Sequence, residues 1–254
     1  MKRWIASTAV VALVTLAAGC GSDDSSDGSG TTTLHVFAAS SLTSTFETLA
    51  KQFEASHDGV DVQLNFGGSS DLVAQLQDGA PGDVFASADT ANMDKATAAD
   101  LVDGTPTPFA TNTLEIAVPP GNPAGIKTLD DLTKSGLNLV ICAPEVPCGA
   151  AAQQVADDAG LTFSPVSEEQ SVADVLTKVS SGEADAGLVY VTDVQAAGDS
   201  VEGITFPESS SVVNTYPIAV MSGSDQGDLA QEFVDLVTGT DGQQVLADAG
   251  FGKP

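Results

Sequence analysis

Two serine pairs, Ser40–Ser41 in FAASSL and Ser69–Ser70 in FGGSSDL, stand where a strand-like apolar run hands over to a helix-like one. No Lys, Arg or His accompanies either pair. A nucleophilic serine needs a base, and GGSSD is not the G-x-S-x-G elbow. Neither His35, in an apolar run, nor His57, in a polar turn, sits in a triad context, so both read as structural and a secreted serine hydrolase is set aside. What remains is donation of hydrogen bonds. A helix start offers unpaired backbone N–H groups and partial positive charge, which suit an oxyanion, and serine hydroxyls add donors without adding charge. A third junction of this kind is PCGAAA. Gly67 and Gly68 would let the backbone approach a ligand closely. The competing reading of each serine is a helix N-cap; for Ser40 and Ser70 the cap reading stands alone. Asp83 and Asp89 would repel an anion and are assigned to backbone bonding.

A site made only of donors fits a ligand that carries its full negative charge and no proton. Hydrogen phosphate keeps a proton at neutral pH, and a buried O–H facing donors costs about 1–3 kcal/mol.

The elements that must position these junctions alternate. TLHVFAAS, VDVQLNFG and GDVFASAD read as strands, and SLTSTFETLAKQFEAS and SDLVAQLQDG as amphipathic helices between them. Strand–helix alternation of this kind implies a parallel sheet with helices on its faces. The rhythm resumes with LNLVICAP, GAAAQQVADDAG, SVADVLTKVSSGEADAG and AGLVYV, then NTYPIAVM and two terminal helical stretches. Two α/β units, with a tail returning to the first, is the simplest architecture.

The ends and the charge place the body in the cell. MKRWIASTAVVALVTLAAGC has a basic start, a short apolar run and small residues before Cys20, the pattern of a secretory signal with a lipobox-like cysteine. Residues 21–33, GSDDSSDGSGTTT, bury nothing and read as a flexible tether. Acidic residues number 35 against 8 basic, two of the latter in the leader. That balance excludes nucleic acid and an anionic membrane face as partners. Cys142 and Cys148 in CAPEVPCG fit no familiar zinc spacing; in an exported chain they are expected to form a disulfide, closing a loop for about 2 kcal/mol.

Taken collinearly from about Leu34 to Phe251, VFAASSLTSTFETLAKQFE, FGGSSDLVAQLQDGAPGDVFASAD, GNPAGIKTLDDL, CAPEVPCG, SGEADAGLVYVTD and the segment from TFPE to YPIAV resemble the molybdate-binding proteins of bacterial ABC importers. The resemblance implies an α/β, two-lobed periplasmic-binding-protein fold of type II, each lobe a mostly parallel sheet flanked by helices, with the ligand in the cleft. It implies a signal peptide over 1–19, a lipidated Cys20 and tether over 20–33, one lobe from 34–112 plus 218–254, and a second from 113–217. The ligand would be molybdate or tungstate, with no cofactor and with molybdenum present only inside the oxyanion. Its implied contacts are the hydroxyls of Ser41, Ser69 and Tyr190 and the backbone N–H groups of Cys148, where many members have alanine, and Val172. The implied partner is the membrane subunit of an ABC permease. The body would be a monomeric binding protein, not an enzyme, held outside the cytoplasm by its lipid. A receptor for sulfate or another tetrahedral oxyanion, and a structural or adhesive surface lipoprotein, are the alternatives.

Overall fold

Residues 31–254 are described in this computed structural model; the leader, Cys20 and the tether through Gly30 lie outside the described residues. The first apolar run forms β1 (Thr32–Ala39), followed by a short 3-10 turn and α1 (Thr43–Ser56), whose Phe46, Leu49, Ala50 and Phe53 are buried. Next come β2 (Val60–Gly67), α2 (Ser69–Gln77), β3 (Val84–Ala86) and α3 (Thr90–Ala98). The long strand β4 (Val102–Val118) leads into β5 (Leu139–Cys142), α4 (Pro147–Ala159), β6 (Ser167–Glu169), α5 (Val172–Ser180), β7 (Ala186–Tyr190), α6 (Val191–Ala197) and β8 (Glu202–Ile204). The chain closes with β9 (Val213–Met221), α7 (Gly227–Thr238) and α8 (Thr240–Asp248).

Strand order is β2-β1-β3-β9-β4-β7-β5-β6, with β8 also on β4. β1 is parallel to β2 and β3, and β5 is parallel to β6 and β7, so each lobe has a parallel three-stranded core with its first strand in the middle. β9 runs antiparallel to β3 and β4, and β4 runs antiparallel to β7. The sheet is therefore mixed where the lobes meet.

Two apolar clusters lie on one side of that join and one on the other. Phe46, Phe53, Phe109, Tyr216, Phe233 and Phe251 belong to the first lobe, and Leu114, Ile116, Leu139, Val175, Leu188 and Phe206 to the second. Edge-on aromatic contacts tie Phe233 to Phe46 and Phe53, and Tyr216 to Phe109 and Phe251. The C-terminal tail thus returns to the first lobe, where Gly252 exchanges backbone hydrogen bonds with Thr111. The chain changes lobes between Ala110 and Leu114 in β4, and between Val212 and Tyr216 in β9. The Tyr216 ring packs in the first lobe.

β4 was not legible as one strand. Gly104, Pro106 and Pro108 break its pattern, and its pairing with β9 shifts register twice, between Asp103 and Thr107 and between Pro108 and Ala110. Proline within a sheet is accommodated at such irregularities. α3 also escaped the periodicity reading, since it buries only Asn92, Met93 and Ala96.

Candidate functional site

The carboxyl ends of β1, β2, β5 and β6 hand over to the 3-10 turn Ser40–Leu42 before α1 and to α2, α4 and α5, and these four helix starts, the 3-10 turn included, face one small cavity between the lobes. In open α/β sheets this is where ligands gather, outside the strand ends at the point where strand order reverses. The cavity is about 10 Å³ and is lined by Ser40, Ser41, Gly68 and Ser69 from one lobe and by Val146, Pro147, Cys148, Val172 and Tyr190 from the other, among others. All five residues expected from sequence to contact ligand line it.

Each arrives for a local reason. Pro147 occupies the first turn of α4 and has no N–H, so Cys148 supplies that helix's first free amide. Ser171 caps α5 by accepting from Asp174 N at 3.2 Å, which leaves the Val172 amide at the very start of the helix. The Val172 side chain joins Val175 and Val179 in the core. Tyr190 ends β7 and is buried, its backbone N–H donating to Asp193 Oδ2 at 2.8 Å.

The N-cap reading of the serines does not hold. No side chain caps the 3-10 turn, α1 or α2; the N-cap of α2 is Gly68. Ser40 lines the cavity instead, and the Ser70 hydroxyl is buried with no partner among the described residues. Ser69 Oγ accepts from Ala88 N at 3.0 Å, and Ser41 Oγ pairs with Tyr216 Oη at 3.0 Å. Asn214 Nδ2 donates to Tyr190 Oη at 3.0 Å. Tyr216 and Asn214 were not singled out from sequence; both sit in β9, far from the serines along the chain, and no local pattern marks them.

Gly68 lines the cavity and also sits at a contact between the lobes. A Cβ there would lie 2.0 Å from the Gln170 carbonyl oxygen, so its bareness lets the two lobes meet. At Gly67 a Cβ would meet only the Leu72 side chain, at 3.3 Å.

No cationic side chain lines the cavity. Positive potential there comes from helix starts, each equivalent to a fraction of a charge. The nearest ionisable groups behind it are acids and phenols. Burial pushes the Asp193 carboxyl up to about 7, against the opposing pull of the Tyr190 N–H, and burial raises both Tyr190 and Tyr216 well above the ordinary phenol range. Both tyrosines therefore remain protonated donors. Asp83 and Asp89 bond to backbone as expected, accepting from His35 N at 2.7 Å and Asn92 N at 2.9 Å. His57 pairs with Glu232 at 2.7 Å and stacks on Phe53, and neither histidine lines the cavity. Among the described residues no cluster of His, Cys, Asp or Glu could hold a metal ion, and no helix is long and apolar enough to cross a membrane.

Cys142, ending β5, and Cys148, opening α4, are joined by a disulfide with a Cα–Cα distance of 5.7 Å. The bond pins the start of α4 to its preceding strand.

Two α/β lobes, with helix starts converging between them, have the architecture of a solute-binding protein. The family model for bacterial extracellular solute-binding proteins matches residues 34–252, and the chain belongs to that family. Among its relatives, the molybdate-binding protein ModA of Mycobacterium tuberculosis is 46% identical over 260 residues, covering 99% of this chain and 100% of that one. ModA of Escherichia coli is 33% identical over 226 residues, covering 85% and 87%. The solved periplasmic molybdate-binding protein of Azotobacter vinelandii superposes with a TM-score of 0.77 at 25% identity, covering 87% of this chain and 99% of that one.

Proposed function

We propose that this protein captures molybdate outside the cytoplasm and delivers it to the membrane subunit of an ABC importer. The observation that carries the reading is the cavity itself: four helix starts and four hydroxyl-bearing residues converge with no cationic side chain among its lining. Such a set solvates a dianion by dipoles and hydrogen bonds, which need no reorganisation once in place. Ser41, Ser69 and Tyr190 would donate from side chains, and Cys148 and Val172 from backbone. Tungstate, nearly the same size and charge, would bind the same donors. The relatives named for molybdate support this assignment.

Residues 34–112 with 218–254, and 113–217, would move as two bodies about the crossing strands, opening to admit the anion and closing to bury it. Cys20 would carry the lipid, and residues 21–31 would give the monomeric body a short leash from the membrane to the permease, since Thr32 and Thr33, expected in the tether, open β1 instead. The role is one of binding, not catalysis.

Calorimetric titration of the tether-free body with molybdate, tungstate, sulfate and hydrogen phosphate tests the assignment. Tight, comparable binding of the first two, with sulfate weaker and hydrogen phosphate weakest, is the expected order. Absence of molybdate binding, or a preference for hydrogen phosphate, would overturn it.

A further inference from the structure

Asn112 in β4 and Asn214 in β9 are direct cross-strand partners at the point where the chain changes lobes, and both are buried. Each holds its amide in one orientation. Asn214 Nδ2 donates to the Ala88 carbonyl at 2.9 Å. A carbonyl only accepts, so this end of the side chain must be the nitrogen. The same Nδ2 then donates its second hydrogen to Tyr190 Oη at 3.0 Å. The phenol oxygen is an acceptor in that bond, and its single proton is left for the cavity that Tyr190 lines.

Asn112 repeats the logic. Its Oδ1 accepts from Thr113 N at 3.0 Å, so its Nδ2 faces Thr192 Oγ1 at 2.7 Å and Tyr216 Oη at 3.5 Å. The second of these is long, but its direction is fixed. Tyr216 Oη, receiving from Asn112, pairs with Ser41 Oγ at 3.0 Å; with the phenol as donor in that pair, the serine proton is free for the cavity. The third hydroxyl is set the same way from a neighbour of Asn214. Ala88, whose carbonyl Asn214 holds, donates its N–H to Ser69 Oγ at 3.0 Å.

We infer that Asn112 and Asn214 are positioning residues that set the proton direction of three cavity hydroxyls, and thereby make the site select fully deprotonated oxyanions over protonated ones. A serine or tyrosine hydroxyl could otherwise rotate and accept from a protonated ligand. Each oxygen already receives a donor from behind, so a hydroxyl turned to accept from the ligand leaves its own proton with no acceptor among the described residues. Neither asparagine lines the cavity, so both act through the groups they orient. The inference rests on the oxyanion reading above.

The decisive variant is Asn214→Asp in the tether-free body. An ionised carboxylate at 214 accepts from Tyr190 Oη and repels the Ala88 carbonyl, reversing the phenol and loosening the donor behind Ser69. Molybdate affinity should fall by about 100-fold, while hydrogen phosphate affinity holds or rises, so that the ratio of the two falls at least about tenfold. Asn214→Leu, which removes the orienting donor without supplying an acceptor, should lower molybdate affinity by about tenfold and the ratio by less. It also serves if the aspartate variant does not fold. In a Tyr190→Phe background, Asn214→Asp should add less than about threefold to the loss, because its route to the anion is already cut. If wild type binds molybdate and both Asn214 variants weaken molybdate and hydrogen phosphate equally, the asparagine is merely structural and the inference fails. If wild type does not bind molybdate, the failure belongs to the functional assignment instead.

Discussion

The two lobes present the same topological positions to the cavity and fill them differently. In the first lobe the middle strand and its neighbour lead to Ser41 and Ser69, which can offer side-chain hydroxyls. In the second, the corresponding strands lead to Cys148 and Val172, whose side chains are buried and whose free groups are backbone amides. The third positions differ again: both Ala88 and Tyr190 line the cavity, but Ala88 brings no side-chain donor and Tyr190 brings a hydroxyl. One lobe thus writes its donors into residue identity, and the other, Tyr190 apart, into helix placement. Side-chain changes should therefore hurt binding mainly on the first lobe, and displacements of helices mainly on the second.

The largest effect should come from Gly68, where the lobes touch through bare backbone. Gly68→Ala would drive a Cβ to within 2.0 Å of the Gln170 carbonyl oxygen, a backbone atom with little room to yield. Molybdate affinity should drop by at least about 100-fold with near-normal thermal stability, because closure fails while each lobe stays folded. Gly67→Ala, facing a side chain that can give, should change affinity by less than about threefold. Calorimetry on the pair tests whether closure or local crowding matters.

Next in size are the donor positions themselves. Ser41→Ala and Ser69→Ala should each weaken molybdate binding about 10–100-fold, the worth of a hydrogen bond to a charged group. Val172→Ala keeps its amide, so affinity should fall less than about threefold while the lost core packing lowers stability by about 1–3 kcal/mol. Equal affinity losses at Ser69 and Val172 would dissolve the distinction between the lobes.

Helix placement in the second lobe can be loosened without touching a donor. The Cys142–Cys148 disulfide holds the start of α4 against β5. Replacing both cysteines with serine should lower stability by about 2 kcal/mol and affinity about three- to tenfold. Urea melts and titrations of the double variant, beside oxidised wild type, measure both. Unchanged affinity would mean that α4 is positioned by its packing alone.

The smallest effect is a pH dependence confined to the second lobe. Burial pushes Asp193 up to about 7, above the ordinary carboxyl value of 3.8. A folded-state pKa raised in this way contributes stability that is present below the ordinary value and lost as pH rises through about 7. Above that pH the ionised carboxylate also sits behind Tyr190 and repels a bound dianion. Wild type should therefore melt at lower temperature and bind molybdate two- to threefold more weakly at about pH 8 than at about pH 6. Asp193→Asn should flatten both slopes, and a wild-type profile that is already flat would place the Asp193 titration elsewhere.

Much of this was legible along the chain because it is local. Strand-to-helix handovers at FAASSL, FGGSSDL and PCGAAA follow from apolar periodicity and small residues, and they fixed the α/β class and an all-donor chemistry before any fold was known. The short Cys142–Cys148 spacing in an exported chain pointed to a bond between them for the same reason. Other features were hidden because their cause lies far away in sequence. The proline-broken β4 is one strand only because β9, over a hundred residues later, pairs along both of its arms. Ser41 reads as a possible cap until Tyr216 is seen to occupy its oxygen, and Gly68 reads as a ligand contact alone until Gln170 closes on it.

By itself, then, the sequence determined which groups could donate and that no cation would accompany them, since residue identity and helix periodicity are properties of neighbouring residues. Only the tertiary structure decided that four helix starts face one point, that two asparagines on crossing strands stand behind the hydroxyls, and that one bare glycine lets the lobes meet. Direction and convergence are relations between segments brought together by burial of the two cores, and no stretch of chain carries them alone.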